Sequence, residues 1–534
     1  MLLNKTGCSL SILLIAIFIP VLPGTPLAYG TNTSCQYSQS HIKPMPPSPD
    51  GGIVNLTFKS KVDGSPQPLL VKIPAGYNPT RSWPLLVTLH GMGDGPILAQ
   101  KVESMIQIGP YGRGSVWYTG IGESDVFEAI EITKKLFSID RNRIYLCGFS
   151  MGGAGTFNLG LRHPDIWAAC VPVCGRCSDM ALIENGRHLP FWINTGRKDT
   201  IVPPISSKKA YDTADQLGFS AWKYTEYDGM AHSFNINWKQ IEDWLLTKQK
   251  HSSPNQISFC TKDLNSNRCC WVEITGIEKY GEKARINAAI NGRKINIKTE
   301  NISNYTLNPD ANLIDLNNDV EIFENGKSIF NGSLNKDARF IKTPINKIDL
   351  LKRPALCGPI WDTYSASCIL VYGTNCKTNS LKTAAKNCAG SFLNPRWMNK
   401  VDFKILADTN VKANEIAENN LVLFGNTETN KILAQISDKL PIQMNGNQIR
   451  AGNAKYTAEN IGYILIYPNP LNSEKYVTVF SGNTAAAIDC FDKIWPNLNS
   501  TPKNIDYGIF ELNAGSETVQ WKLKGLFGTN WNWQ

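Results

Sequence analysis

Gly148-x-Ser150-x-Gly152 ends an apolar run that starts at Ile144. A serine at such a corner projects its hydroxyl where a base and a carbonyl carbon can both reach it. The glycines let strand and helix backbones approach closely. The chemistry would be acyl transfer through a serine nucleophile, although the pattern alone is common enough by chance to decide nothing. The chain also offers an acid and a base, in that order: Asp199 in PFWINTGRKDTIVPP and His232 in WKYTEYDGMAHSF. His232 would take the Ser150 proton, while Asp199 would orient His232 and stabilise its cation. The competing readings are a turn or helix cap for Asp199 and a surface histidine for His232. His90, in PLLVTLHGMGDG, is the other histidine to weigh as base. Its place upstream of the serine suits a structural role in a loop that builds an oxyanion hole. The expected donors there are the backbone N–H groups of Met92 and Met151, each worth roughly 3–4 kcal/mol of transition-state stabilisation.

These groups need a scaffold. Strand patterns at 84–89, 143–147, 168–173, 190–194 and 222–227 alternate with helical stretches such as 124–136 and 207–217. Such alternation implies a mostly parallel sheet with helices on both faces. Ser150, Asp199 and His232 each follow a strand, so all three fall on the carboxyl edge where open α/β sheets gather their sites. Ahead of them, 53–59 and 67–73 read as an antiparallel pair joined near Asp63-Gly64. Residues 241–250 read as a closing amphipathic helix, followed by a short linker.

From 256 to 347 the pattern is β-only. Alternating runs flank Asn291-Gly292 and Asn325-Gly326, a strong hairpin signal, so a small antiparallel β-sandwich is expected. From 350 to 534 strand–helix alternation returns as a second α/β domain. In it Gly373-Thr374, Gly425-Asn426-Thr427 and Gly482-Asn483-Thr484 each link a strand to a helix, where an anion could sit.

The chain has 534 residues, of which 42% are hydrophobic and 19% charged, and its net charge is +9 without any block of like charge. That argues for a globular, multidomain protein with a solvated basic surface and against a nucleic-acid partner. Residues 1–30 read as a secretory signal, with Lys5, an apolar run from Leu10 to Leu22, and small residues at Ala28 and Gly30. An uncleaved anchor is the alternative; no later stretch is long and apolar enough for a span. A secreted or periplasmic location follows. Cleavage would remove Cys8 from the 14 cysteines and leave an odd number. Some are expected as disulfides. Cys174-x-x-Cys177 reads first as a structural disulfide, with a redox pair or a zinc half-site as alternatives.

PLLVTLHGMGDG, GPYGRG, DRNRIYLCGFSMGGAGTFNLGLRHPDIWAA, NTGRKDTIVP and DGMAHSF occur in order. Over about residues 51–246 the chain resembles secreted esterases of the poly(3-hydroxybutyrate) depolymerase and feruloyl esterase type, and is similar to prolyl-oligopeptidase-like serine hydrolases. The resemblance implies an α/β-hydrolase domain over 36–250 and a Ser150–Asp199–His232 triad. It also implies carboxylic-ester hydrolysis through an acyl-enzyme, with no metal and no organic cofactor. Fewer than about 50 residues lie between the leader and this domain, too few for the propeller of oligopeptidases. A serine peptidase is therefore the alternative, and a binding or adhesion protein with a degenerate hydrolase domain a third reading. The regions 256–347 and 350–534 are expected to be accessory, holding a polymeric substrate or the cell surface. Ester substrates are the expected partners.

Overall fold

The structure is a computed structural model. It describes residues 51–251, 253–316, 318–334, 339–344, 350–375, 379–391, 401–491, 505–513 and 519–534. The expected leader at 1–30 lies outside these residues. Among the described residues no helix is long and apolar enough to cross a membrane.

The first sheet has eight strands: β1 Gly52–Lys59, β2 Pro66–Ile73, β3 Trp83–Leu89, β4 Ile106–Pro110, β5 Ile139–Phe149, β6 Ala169–Val173, β7 Trp192–Gly196 and β8 Lys223–Tyr227. Their order is β1-β2-β4-β3-β5-β6-β7-β8. β1 and β2 form the expected antiparallel pair, and β2 runs antiparallel to β4. From β4 through β8 every pairing is parallel. Four helices accompany them: α1 Ile121–Leu136, α2 Met151–Arg162, α3 Ile205–Gln216 and α4 Trp238–Leu246. This is an α/β-hydrolase-type sheet.

Alternation along the strands feeds the two faces. Leu85, Val87 and Leu89 of β3 pack with Ile144 and Leu146 of β5 against Val126, Ala129 and Phe157 of α1 and α2. Leu86, Tyr145 and Cys147 point the other way, to Ile241, Trp244 and Leu245 of α4. Apolar residues on both faces are what a parallel strand covered by helices requires.

Residues 256–341 form a five-stranded and a four-stranded sheet around one core. Both Asn-Gly hairpins are present, with Asn291 opposite Lys294 and Glu324 opposite Lys327. The expectation of a wholly antiparallel sandwich is corrected at one place: Lys294–Glu300 pairs with Val320–Glu324 in parallel. Between them the chain crosses to the other sheet, forming Ile302–Leu307, and so returns in its original direction. The last region holds a seven-stranded mixed sheet, parallel over its first four strands and antiparallel beyond, with a three-stranded ribbon beside it. Its candidate anion loops are held by their own side chains. Thr374 Oγ1 donates to Asp408, which also accepts from the Lys431 N–H, and Asn426 Oδ1 accepts the N–H groups of Glu428 and Thr429.

Buried and part-buried contacts join the three regions. Val62, Val116 and Ile121 belong to the same apolar cluster as the C-terminal sheet. Arg162 Nη1 donates to Asp263 Oδ2 at 2.9 Å. Asp362 lies at this junction, accepting from Tyr476 Oη at 2.5 Å and from Asn265 Nδ2 at 2.8 Å. Burial pushes its carboxyl up to about 7, with Asp263 adding to the rise. An acid whose folded pKa is raised stabilises the fold while protonated. That contribution is complete below its unfolded value and is lost as pH rises towards about 7. Stability should therefore fall between about pH 4 and pH 7, by up to a few kcal/mol at about 1.4 kcal/mol per pH unit. Melting temperatures across this range should show the slope, and Asp362→Asn should flatten it. An unchanged slope in that variant would place the titration elsewhere.

Candidate functional site

β5 ends at Phe149, and Ser150 stands at the N-cap of α2 with φ 57° and ψ −113°. A positive φ is costly for serine, so its surroundings must impose it. The Ser150 N–H donates to Val173 O at 2.9 Å, and Ser150 O accepts from the Ala154 N–H at 3.0 Å. The flanking glycines are there for close approach. A Cβ on Gly148 would meet Gly152 O at 2.3 Å, and one on Gly152 would meet Leu89 O at 2.1 Å. Both obstacles are backbone atoms, which cannot swing aside. Gly152→Ala should thus push α2 off β3 and destabilise the fold by about 3 kcal/mol or more, read as a lower urea midpoint. A wild-type midpoint would mean that the elbow tolerates a Cβ.

Asp199 follows β7 and His232 follows β8. The two loops are pinned to each other: the Lys198 N–H donates to Met230 O at 2.8 Å, and a Cβ on Gly196 would lie 2.2 Å from Ala231 O. The structure brings the three predicted side chains together. His232 Nε2 is 2.9 Å from Ser150 Oγ, and His232 Nδ1 is 2.7 Å from Asp199 Oδ2. The Asp199 carboxylate is fully buried, while the His232 side chain keeps 15% exposure. Asp199 Oδ1 accepts from the N–H groups of Ile201 at 2.9 Å and Val202 at 2.8 Å. That fixes the carboxylate plane and leaves Oδ2 for the ring. Phe149 lies against the His232 ring, centroids 5.1 Å apart.

His90 is placed otherwise. It is fully buried, with Nδ1 2.7 Å from Gly91 O and Nε2 2.8 Å from Tyr111 O. Both of its ring nitrogens are engaged with backbone carbonyl oxygens, so neither is turned to Ser150. His90→Gln should therefore lower activity far less than His232→Gln, in parallel kcat/KM measurements; the reverse ranking would identify the wrong base. Met92 follows His90 in the exposed loop after β3. Met151 is the first residue of α2, so its N–H has no intrahelical acceptor. The helix N-terminus adds partial positive charge at that point.

Two features were not foreseen. The Cys174 thiol, just after β6, is buried beside these side chains: Cys174, Asp199 and His232 each bring one ligand-type atom within 4.8 Å of the others. Burial pushes the thiol up to about 12, with the Asp199 charge adding to the rise. The expected Cys174–Cys177 disulfide is corrected accordingly. Cys177 Sγ instead faces Asp179 O at 3.6 Å, and no disulfide joins two described cysteines. The second is Arg113, in GPYGRG. Its buried guanidinium donates to Asp63, Ser65 and Asp125, tying the β1–β2 turn, the loop after β4 and α1 together.

No protein-family model matches the chain. Among solved structures it is similar to a thermostable esterase, at 25% identity and a TM-score of 0.32, over 38% of this chain and 63% of the esterase. It is similar to a ferulic acid esterase from Anaeromyces mucronatus at 16% identity and a TM-score of 0.32, over 39% of this chain and 95% of that one. A dipeptidyl aminopeptidase IV from Bacteroides ovatus matches at 18% identity and a TM-score of 0.31, over 37% of this chain and 36% of its own. The chain thus spans less than two thirds of the length of the thermostable esterase.

Proposed function

We propose that this protein is an exported serine hydrolase that cleaves carboxylic esters through an acyl-enzyme. The observation that carries the reading is the hydrogen-bonded line Ser150 Oγ–His232–Asp199 at a strained elbow, 2.9 Å and 2.7 Å across its two contacts. In the first half-reaction His232 Nε2 takes the Ser150 proton as Oγ attacks the ester carbonyl carbon. The developing oxyanion is met by the N–H groups of Met92 and Met151. The tetrahedral intermediate collapses, His232 gives its proton to the departing alkoxide, and an acyl-serine remains. In the second half-reaction His232 takes a proton from water, hydroxide adds to the acyl carbon, and the acid leaves as Ser150 regains its proton. Asp199 stays ionised and stabilises the imidazolium in both halves.

The chemistry needs no metal or organic cofactor. The catalytic unit is residues 36–250, and 256–347 and 350–534 are accessory regions that would hold a polymeric substrate or a cell surface near the site. The leader at 1–30 supports a secreted or periplasmic location. The test is a panel of aryl acetates, feruloyl esters, an aliphatic polyester and dipeptide amides. Turnover of esters with none of amides is expected; amide turnover would make the chain a peptidase, and inertness towards all four would return the binding-protein reading.

A further inference from the structure

Cys174 is drawn into the triad without any part in its chemistry. Its thiol is fully buried at the carboxyl end of β6, and its backbone, at φ 47°, lies in the left-handed region. Asp199 Oδ1 is spent on two backbone N–H groups, so the face of Asp199 left for other partners is the one it shares with His232 Nδ1. Three different donor types, a thiol sulfur, a carboxylate oxygen and a ring nitrogen, come within 4.8 Å of one another there. Zinc bonds to such atoms are about 2.0–2.3 Å long, which puts neighbouring ligand atoms of a tetrahedral site some 3.3–3.8 Å apart. The widest pair would have to close by about 1 Å, and the 2.7 Å Asp199–His232 pair would have to open by about 0.6 Å or more.

We propose that Cys174, Asp199 and His232 form an inhibitory site for a soft divalent cation of the zinc or cadmium type. The ring nitrogen it takes is Nδ1, since that is the one beside Asp199. The thiol proton leaves to solvent as the sulfur–metal bond forms. The proton that Nδ1 gives up passes to Nε2, so the imidazole stays neutral in its other tautomer. Nε2 then carries hydrogen towards Ser150 Oγ and has no lone pair with which to accept the Ser150 proton. Inhibition follows from the tautomer, with no change in the substrate cleft. The sulfur selects against magnesium and calcium, which take oxygen ligands. The cation would enter past the His232 ring, the least buried of the three.

The inhibitory consequence rests on the serine-hydrolase reading, whereas the binding does not, so the test has two arms. In the full-length Ser150→Ala protein, cadmium should bind at one site per chain in calorimetry and raise a cadmium–thiolate absorption band in the ultraviolet. Cys174→Ser should remove the band and weaken binding by roughly 100-fold or more, beyond the 10–100-fold that loss of an outer-shell partner costs. His232→Gln serves in this arm if Cys174→Ser fails to fold. Cys177→Ser should change nothing. In the wild-type protein zinc should inhibit ester hydrolysis, a chelator should restore it, and magnesium should have no effect. Relative to its own metal-free rate, Cys174→Ser should resist zinc. Equal binding in Cys174→Ser, loss of the band in Cys177→Ser, or no band at all would overturn the site. Cadmium binding in a chain that hydrolyses no ester would support the site and overturn the esterase reading instead.

Discussion

Ser150→Ala is expected to cut ester turnover by at least about a thousandfold and to abolish labelling by a fluorophosphonate. In the proposed mechanism Ser150 Oγ forms the covalent bond, and no neighbouring group would replace it. His232 Nε2 would lose its 2.9 Å partner and could at best activate a water. The Cys174 thiol is buried and pushed up to about 12, which leaves it protonated and unreactive. Fold stability should be little changed, because the elbow is held by backbone contacts, the Ser150 N–H to Val173 O and Ser150 O from the Ala154 N–H. Retained labelling in this variant, with unfolding unchanged, would mean that another residue is the nucleophile.

Asp199→Asn is expected to cost about 10⁴-fold in kcat with the fold intact, and the reason lies in two backbone bonds. Oδ1 of Asp199 accepts from the Ile201 and Val202 N–H groups. An asparagine must keep its carbonyl oxygen there, since turning its amide towards two donors would leave them unpaired in a buried place. Its NH2 group then faces His232 Nδ1 across the 2.7 Å contact. Nδ1 becomes the acceptor, the hydrogen moves to Nε2, and the base is lost to the wrong tautomer. A variant that kept a tenth or more of wild-type kcat would show that Asp199 does not set the tautomer.

The gathering of the three candidate side chains was legible because their residue types are ordered along the chain. A serine corner between glycines, then an acid and a histidine each just past a strand, places three side chains on one sheet edge once the strands are parallel. Hairpins were legible for a similar reason: Asn291-Gly292 and Asn325-Gly326 fix their turns locally. What escaped is long-range. β4 is missing from the strand patterns of the sequence, and it ends in Gly109-Pro110. Yet Gly109 is needed in that strand, since a Cβ there would lie 2.2 Å from Ile97 O. Periodicity does not report that approach. Arg113 looks like a loop cation, and only the fold shows three acceptors around it, two of them carboxylates. Val62, Val116 and Ile121 have no local mark that they complete a core begun more than two hundred residues later. In the sequence Cys174 reads as half of a Cys-x-x-Cys pair; its place beside Asp199 depends on β6 and β7 being neighbours, which is topology rather than spacing.

The proposed acyl-enzyme can be trapped by rapid mixing with p-nitrophenyl acetate followed by mass analysis. A burst of p-nitrophenol approaching one equivalent per chain is expected. On acid quench, an added acetyl mass should map to the peptide containing Ser150. Hydrolysis without a burst and without an added mass, or an acetyl group mapped to any other residue, would contradict it.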